Sequence, residues 1–301
     1  MYDLIVIGGG PAGLTATIYA IRKRLNVLLI TKDLGGKTNY HLALPWVEDY
    51  QVIRGLEVVN KFKSELEYLK FARHMELVEH VERQAEGFSV HTKSGAKFDA
   101  RALIVATGTR QRRLSVPGEK EYIMRGLCYS ALSYAPLFID KKTVVVGEGD
   151  LALRSAAELA TVASHVHLVG PDKETLGSAL GKKLQQAKNV TVMTGYAATE
   201  VKGNGYANRI VVKSDEGQET ELEADGIFVE LGLVPSSQMV ANLVALDEQG
   251  RIKVDCFART SVPGIFAAGD VTNTYAEQVL VAVGDGAKAA LSAYDYLLPM
   301  L

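Results

Sequence analysis

Cysteine is nearly missing from these 301 residues: only Cys128 and Cys256 occur, far apart in sequence. That excludes a disulfide-stapled fold and leads us to expect a reducing, cytoplasmic setting. There is no excess of either charge, since the formal net charge is −2. A nucleic-acid or anionic-membrane binder would carry a basic face, so neither partner is expected. Long apolar runs are missing too. The runs "LIVIGGG" and "TVVVGEG" are short, end in glycine and read as buried strands, not membrane spans. No basic, apolar leader is expected, because the first strand already begins at Tyr2. No metal is expected either. Apolar residues (48%) outweigh charged ones (23%), as in a globular chain long enough for two domains.

The glycines that are abundant here are organised. "DLIVIGGGPAGLTATIYAIRKRLNVLLI" predicts a strand, a tight turn, a helix over 11–24 and a second strand at Val27–Ile30. Leu14, Ile18 and Ile21 recur at i, i+4 and i+7, which gives the helix one packing face. Gly8, Gly10 and Gly13 fit G-x-G-x-x-G. The first allows the turn, the second lets a pyrophosphate approach the backbone, and the third lets the helix sit close on the strand. The helix start at Pro11 and Ala12 then aims free N–H groups and the positive dipole end at the phosphates. An acidic residue expected about 20 residues on, for the ribose hydroxyls, is replaced by Thr31, with Asp33 beyond it. Thr31 still offers a hydroxyl.

A second unit repeats the pattern. A strand over 143–146 leads into Gly147, Gly149, Asp150, Leu151 and Ala152, a G-x-G-x-x-A turn, then a helix over 151–161 and a strand over 166–169. Either this unit binds a dinucleotide, or it keeps only the fold. Gly170, Pro171 and Asp172 follow the strand, and nothing basic stands there to pair with a 2′-phosphate. NADPH should therefore not be preferred; NADH, or even a second FAD, would fit as well. Short alternating strands over 202–223, with a turn at 215–217, match a similar stretch over 87–100 in the first half. The expected fold class is α/β: two Rossmann-like three-layer dinucleotide-binding domains, each with a small antiparallel β insert.

At this point a family is visible. The pieces "IGGGPAG", "ALIVATGTRQRRLSVPGE", "VVVGEGDLA" and "TSVPGIFAAGDVTN…EQVLVAVGDGAKAA" come in the order found in low-molecular-weight thioredoxin reductases. The chain resembles those enzymes, within the two-dinucleotide-binding-domain flavoproteins, from residue 2 to about 295. The resemblance implies FAD in a discontinuous domain, residues 1–113 plus 243–301, with an inserted nucleotide domain at 114–242. It implies that Ala106, Thr107 and Gly108 mark a strand returning beneath the FAD, and that Gly269 and Asp270 meet its ribityl chain. Glu277, Gln278 and Val279 would lie against the flavin ring, with Gly35, Gly36, Lys37, Asp49 and Val81 also at the cofactor. A homodimer and a redox-protein partner, thioredoxin-like or ferredoxin-like, are implied as well. From 275 to about 298 the chain predicts a helix with Val279, Val283, Ala287, Ala290 and Tyr294 on one face. Its dipole would favour negative charge on a reduced flavin. Two departures concern the cofactor: Lys37 stands where the family has Gln, and Asp49 where it has Asn. Lys37 would either bring a cation near the flavin or be solvated.

The largest departure lies in "GLCYSALSYAP". The family's redox pair is Cys-x-x-Cys, and here that frame carries Ser130 and Ser133. A hydroxyl does not form the thiolate that attacks a disulfide. Cys128 stands two residues too early and reads as a small buried apolar residue. Either the protein does flavin chemistry without a disulfide, or serines stand in place of native cysteines; the sequence leaves both open. Three functions follow: an FAD-dependent oxidoreductase without its own disulfide, a thiol–disulfide reductase seen with serines, and a non-enzymatic flavin-binding sensor. Disulfide-free relatives, the thioredoxin-reductase-like ferredoxin–NADP reductases, usually carry a C-terminal extension over the flavin, and this sequence stops at Leu301.

Overall fold

A computed structural model describes residues 1–47 and 55–301. Two compact units form: Met1–Asn39, Ile53–Arg110 and Val234–Leu301 make the first, and Tyr40–Val52 with Gln111–Leu233 the second. The crossing points lie at 110/111 and 233/234, against the expected 113/114 and 242/243. Residues 40–47, expected in the first unit, belong to the second, where Leu42 and Leu44 are buried. Trp46 holds that segment: its Nε1 donates to the Leu137 carbonyl at 3.1 Å, and its ring packs edge-on against Phe138.

The chain begins with β1 (Tyr2–Ile7), α1 (Pro11–Arg22) and β2 (Val27–Ile30). Helix α2 (Leu56–Tyr68) and β3 (Arg73–His74) lead to a meander of β4 (Val78–Gln84), β5 (Gly87–Thr92) and β6 (Lys97–Val105), and β7 (Thr109–Gln111) ends this stretch. The second unit runs α3 (Glu119–Tyr122), β8 (Leu127–Cys128), α4 (Ala131–Tyr134), β9 (Lys142–Val146), α5 (Asp150–Ala160) and β10 (His165–Val169). It continues through α6 (Lys173–Leu176), α7 (Ala179–Gln186), β11 (Val190–Met193), β12 (Tyr196–Gly203), β13 (Ala207–Ser214), β14 (Glu219–Glu223), β15 (Gly226–Val229) and β16 (Leu233–Pro235). The return to the first unit adds β17 (Ile265–Ala267) and α8 (Val279–Leu297).

In the first unit, β3, β2, β1 and β6 are neighbours in that order, all parallel. Strand β6 is the spine of the sheet. Its first half pairs antiparallel with β5, and its second half pairs parallel with β17, for example Leu103 with Ile265. The antiparallel strands of this unit are thus fused to the parallel sheet through β6, not set apart from it. Burial of both faces explains the unbroken apolar runs of β1 and β2. One face carries α1, α2 and α8, with Leu14, Ile18, Val59, Leu66 and Ala289 in the core. The other face buries Val81, Phe88, Val90, Val240 and Ile252.

The second unit has a parallel sheet, β11-β10-β9-β15-β8, and a separate antiparallel sheet, β12-β13-β14. Leu153, Ala156 and Leu159 of α5 pack on one face of the parallel sheet, and Val201, Ile210 and Val212 of the antiparallel sheet lie in the cluster on the other. Each unit therefore has the three layers expected of a dinucleotide-binding fold.

Helix α8 differs from its expected form. It starts at Val279, because Gln278 has extended backbone (φ −127°, ψ 146°), and Tyr275 is fully exposed. Its buried residues are Ala282, Gly286, Ala289, Ala290, Ser292, Ala293 and Leu297. Of the five residues expected on the buried face only Ala290 is fully buried; Val279, Val283, Ala287 and Tyr294 are half-buried. Small residues win because α1 comes so close: a Cβ on Gly286 would stand 2.1 Å from the Ala12 carbonyl oxygen. Among the described residues, no helix is long and apolar enough to cross a membrane.

Candidate functional site

The glycine turn of the first unit sits at the carboxyl ends of β1, β2 and β6. Gly8 takes φ +107°, and its amide donates to the Ile30 carbonyl at 2.9 Å. A side chain there would meet the Ala106 carbonyl, 2.4 Å from its Cβ. Gly13 is tighter still: its Cβ would fall 1.8 Å from the Gly8 oxygen, which is how α1 lies against the strand end. Gly10 is different. It caps α1 with extended backbone, Pro11 fills the position where no donor is needed, and no described atom lies within 4 Å of a Cβ added there. Open space over the helix start, with no side-chain cap on its N–H groups, makes a cradle with room for a pyrophosphate. The residues present fit the phosphate part of FAD.

The segment after β2 folds over this turn. Gly35 (φ +109°) donates from its amide to the Gly9 carbonyl at 2.7 Å, and Gly36 (φ +58°) passes close enough that its Cβ would be 3.1 Å from the Gly10 Cα. Asp33 ties the turn by accepting from the Gly36 amide at 2.9 Å. Thr31 is buried and its hydroxyl donates to the Asp33 carbonyl at 2.7 Å. Its donor is thus used inside the protein, which leaves only its lone pairs for any ligand.

Lys37 is partly exposed but paired. Its Nζ lies 2.6 Å from Asp270 Oδ2 and 2.9 Å from the Thr109 hydroxyl. Asp270, the following Val271 and Gly269 (φ +73°) form one 3₁₀ turn, and a Cβ on Gly269 would be 3.1 Å from the Ala12 Cβ. Glu277 stands near this pair. Glu277 is an exposed residue, yet partial desolvation of its carboxyl and the Asp270 charge push it above the usual carboxylate range, against the pull of Lys37 and Arg251. Gln278 caps α8 without a side-chain bond to the helix, its Nε2 donating to the Glu277 carbonyl instead, and Val279 opens the helix half-buried. Thr107 donates to the Ser236 carbonyl at 2.6 Å, while Gly108 (φ +64°) accepts from the Ser236 amide at 2.9 Å. The turn at 8–13, the segment 31–37, the run 106–109 and the turn at 269–270 therefore line one end of the sheet. Val81 has its side chain in the core opposite Val90, which leaves only its backbone for a ligand. Asp49 lies outside the described residues.

The second unit repeats the cradle in part. Gly147 is enclosed, its Cβ position 2.4 Å from the Glu230 carbonyl, and Ala152 is buried beside it, 2.8 Å from that position. Gly149 caps α5 with no described atom within 4 Å of an added Cβ. Asp150 and Leu151 are exposed at the helix start. After β10, Asp172 caps α6, accepting from the Thr175 amide at 2.6 Å and its hydroxyl at 2.8 Å. Those bonds hold its carboxyl below the usual range, so a firmly ionised group stands where a 2′-phosphate would need a cation.

Ser130 and Ser133 come together at the start of α4, where the Ser130 hydroxyl donates to that of Ser133 at 3.0 Å. Beneath them lies Glu230, which sequence reasoning missed. It is 4% exposed, and one carboxylate oxygen accepts from the Ala131 amide at 2.9 Å and the Ser155 hydroxyl at 2.8 Å. The signal was a single acid inside the apolar run "GIFVELGL". Cys128 is fully buried, and burial with the nearby Glu230 charge pushes its thiol well above the ordinary value. It is no nucleophile in this setting. Cys256 is exposed.

Residues 2–286 match the family described as pyridine nucleotide-disulphide oxidoreductase. The F subunit of alkyl hydroperoxide reductase from Pseudomonas aeruginosa is 37% identical over 305 residues, which take in 99% of this chain and 58% of the relative. The Staphylococcus aureus protein of that name is 33% identical, again with 99% of this chain and 59% of its own length. The chain thus spans less than two thirds of the curated relatives it matches. Two solved structures align almost end to end. Thioredoxin reductase from Streptococcus pyogenes superposes with a TM-score of 0.87 at 33% identity, covering 99% of each chain. That from Giardia duodenalis gives 0.86 at 30%, with the same coverage.

Proposed function

We propose that the chain, which belongs to the pyridine nucleotide-disulphide oxidoreductase family, is an FAD-dependent oxidoreductase that exchanges electrons between NADH and a one-electron carrier without a disulfide of its own. The observation that carries this reading is the pair Ser130 and Ser133, hydrogen-bonded to each other where the family has its dithiol. Bound FAD would take hydride from the nicotinamide and release its electrons singly or in pairs. The protein's own residues hold the dinucleotides: the Gly10 cradle and α1 bind the FAD pyrophosphate, and the Gly149 cradle and α5 bind that of NADH. Asp172 selects against the 2′-phosphate of NADPH. One NADH supplies two electrons and releases one proton, so two one-electron acceptors are reduced per turnover. A ferredoxin-like carrier needs no thiol relay, which is why we favour it over a thioredoxin-like one. Steady-state reduction of such a carrier by NADH tests the reading. Turnover with NADH at least tenfold above NADPH, and none with thioredoxin or small disulfides, is the expected result. Disulfide reduction by the chain as it stands would overturn it.

A second reading rests on the same helix start. The hydroxyls are already 3.0 Å apart on a two-residue spacer, the arrangement that a dithiol would need. This supports a thiol–disulfide reductase in which serines replace cysteines at 130 and 133, and the codons of the natural gene decide between the two.

A further inference from the structure

Three side chains on the outer face of the β4–β5 hairpin face one another and have no role in dinucleotide binding. His80 and Glu82 stand two apart on β4, and His91 lies directly across from His80 on β5. An irregularity in the ladder between Val78 and His80 sets this phase. Val78 and Val81 both point into the core, while His80 and Glu82 share the outer side. The two imidazoles stack in parallel, with centroids 4.3 Å apart and planes 8° from each other. Glu82 reaches both rings, with Oε1 3.5 Å from His80 Nε2 and Oε2 3.4 Å from His91 Nε2. One ligand atom from each residue falls within 4.8 Å of the other two. His91 Nε2 is itself buried and has no hydrogen-bond partner.

Both ring-to-carboxylate distances fit a shared ion, onto which the stacked rings bring their Nε2 lone pairs once they rotate out of parallel. A charge-assisted N–H···O bond closes to ~2.7–2.9 Å, and neither contact does so. Ligand atoms at ~2.0–2.1 Å from a tetrahedral zinc ion stand ~3.3 Å from each other, which is close to both contacts. The donor set points the same way, since two imidazoles and a carboxylate suit zinc-class ions, whereas magnesium and calcium want oxygen throughout. The charges around the group are mixed. Lys97 lies across from His91 on β6 and opposes a cation, while Asp99, bonded to the Ser89 hydroxyl one rung along, favours it. We propose that His80, Glu82 and His91 form a site for one divalent transition-metal ion of the zinc class, with the fourth position left to water or an incoming ligand.

The test uses the whole chain, tag-free, with FAD bound and stripped of metal by a chelator. Zinc is titrated against a competing indicator, and cobalt(II) is followed by its visible absorption. About one equivalent should bind with a micromolar or tighter dissociation constant. His91→Ala and Glu82→Gln should each weaken binding tenfold or more, and magnesium should not compete. His165→Ala, in the second unit, should change nothing. If His91→Ala fails to fold, the exposed His80→Ala carries the same test. Binding that does not saturate, or that survives both histidine substitutions, would overturn the proposal.

Discussion

Lys37 and Asp270 form a 2.6 Å ion pair although 233 positions separate them, 270 less 37, and Thr109 completes the contact. Asp270 is 14% exposed, so it depends on its partner, while Lys37 at 35% is partly screened by water. Lys37→Met should lower stability by about 1–2 kcal/mol, seen as a drop of a few degrees in the melting temperature of the FAD-free protein. An unchanged melting point would show that desolvation already offsets the pair.

Glu277 carries a pH prediction. Its folded carboxyl is raised above the unfolded value by partial desolvation and by Asp270, and because the residue is exposed the effect on stability is small. The stability this group contributes is present while it is protonated and is lost as pH rises through the raised range. Above that range the ionised carboxylate opposes folding. Glu277→Gln should therefore melt higher than the parent at pH 7–8 and match it near pH 4. A gain at pH 4 alone would reverse the assignment.

Gly10 and Gly13 separate binding from folding. A side chain on Gly10 enters open space, so Gly10→Val should fold and melt like the parent without FAD but emerge colourless. Gly13→Ala drives a methyl to 1.8 Å from the Gly8 oxygen and should cost about 3 kcal/mol or more, with poor expression as the visible outcome. Full flavin content in Gly10→Val would remove the pyrophosphate from this turn.

How much of this was legible in the sequence depends on what each feature is made of. Strand β1, helix α1 and strand β2 follow from local glycine chemistry and a 3.6-residue period, so residues 2–30 could be read directly. The expected face of helix α8 lies one residue off around its axis because the large apolar side chains are Val279, Val283 and Tyr294. Burial there is decided by what α1 can approach, and that selects Ala282, Gly286 and Ala289. Residues 40–47 group with the second unit because Trp46 finds Leu137 and Phe138, distant partners that no periodicity reveals. The pair Lys37–Asp270 and the group on the β4–β5 hairpin depend on tertiary pairing and strand register, and neither leaves a local signature.

Ser130 and Ser133 can be turned back into a redox pair. Their hydroxyl oxygens are 3.0 Å apart, and a bridge needs the sulfurs at ~2.05 Å, a shift of about 1 Å. The double Ser→Cys variant should oxidise to an internal disulfide. Thiol titration of the folded, oxidised variant should find the exposed Cys256 alone, since Cys128 is buried and its thiol resists ionisation. Reduction should add both new thiols to that count. A titration that finds them free after oxidation would show that the helix start does not hold them together.

Strand β6 also has a consequence for synthesis. The strand that covers one flank of its second half, β17, and the helix that covers α1, α8, both come from the end of the chain. A ribosome delivers them after the second unit, at ~5–20 residues per second. For several seconds the nascent first unit must expose an open parallel edge and an apolar stripe, while the strands of the second unit, β8 to β15, are already complete. The second unit can close before the first, so the order of folding runs opposite to the order of the two glycine turns. A chain cut after Val262 would not lose a tail. It would keep the unfinished edge for good, and that edge is the place where aggregation should begin.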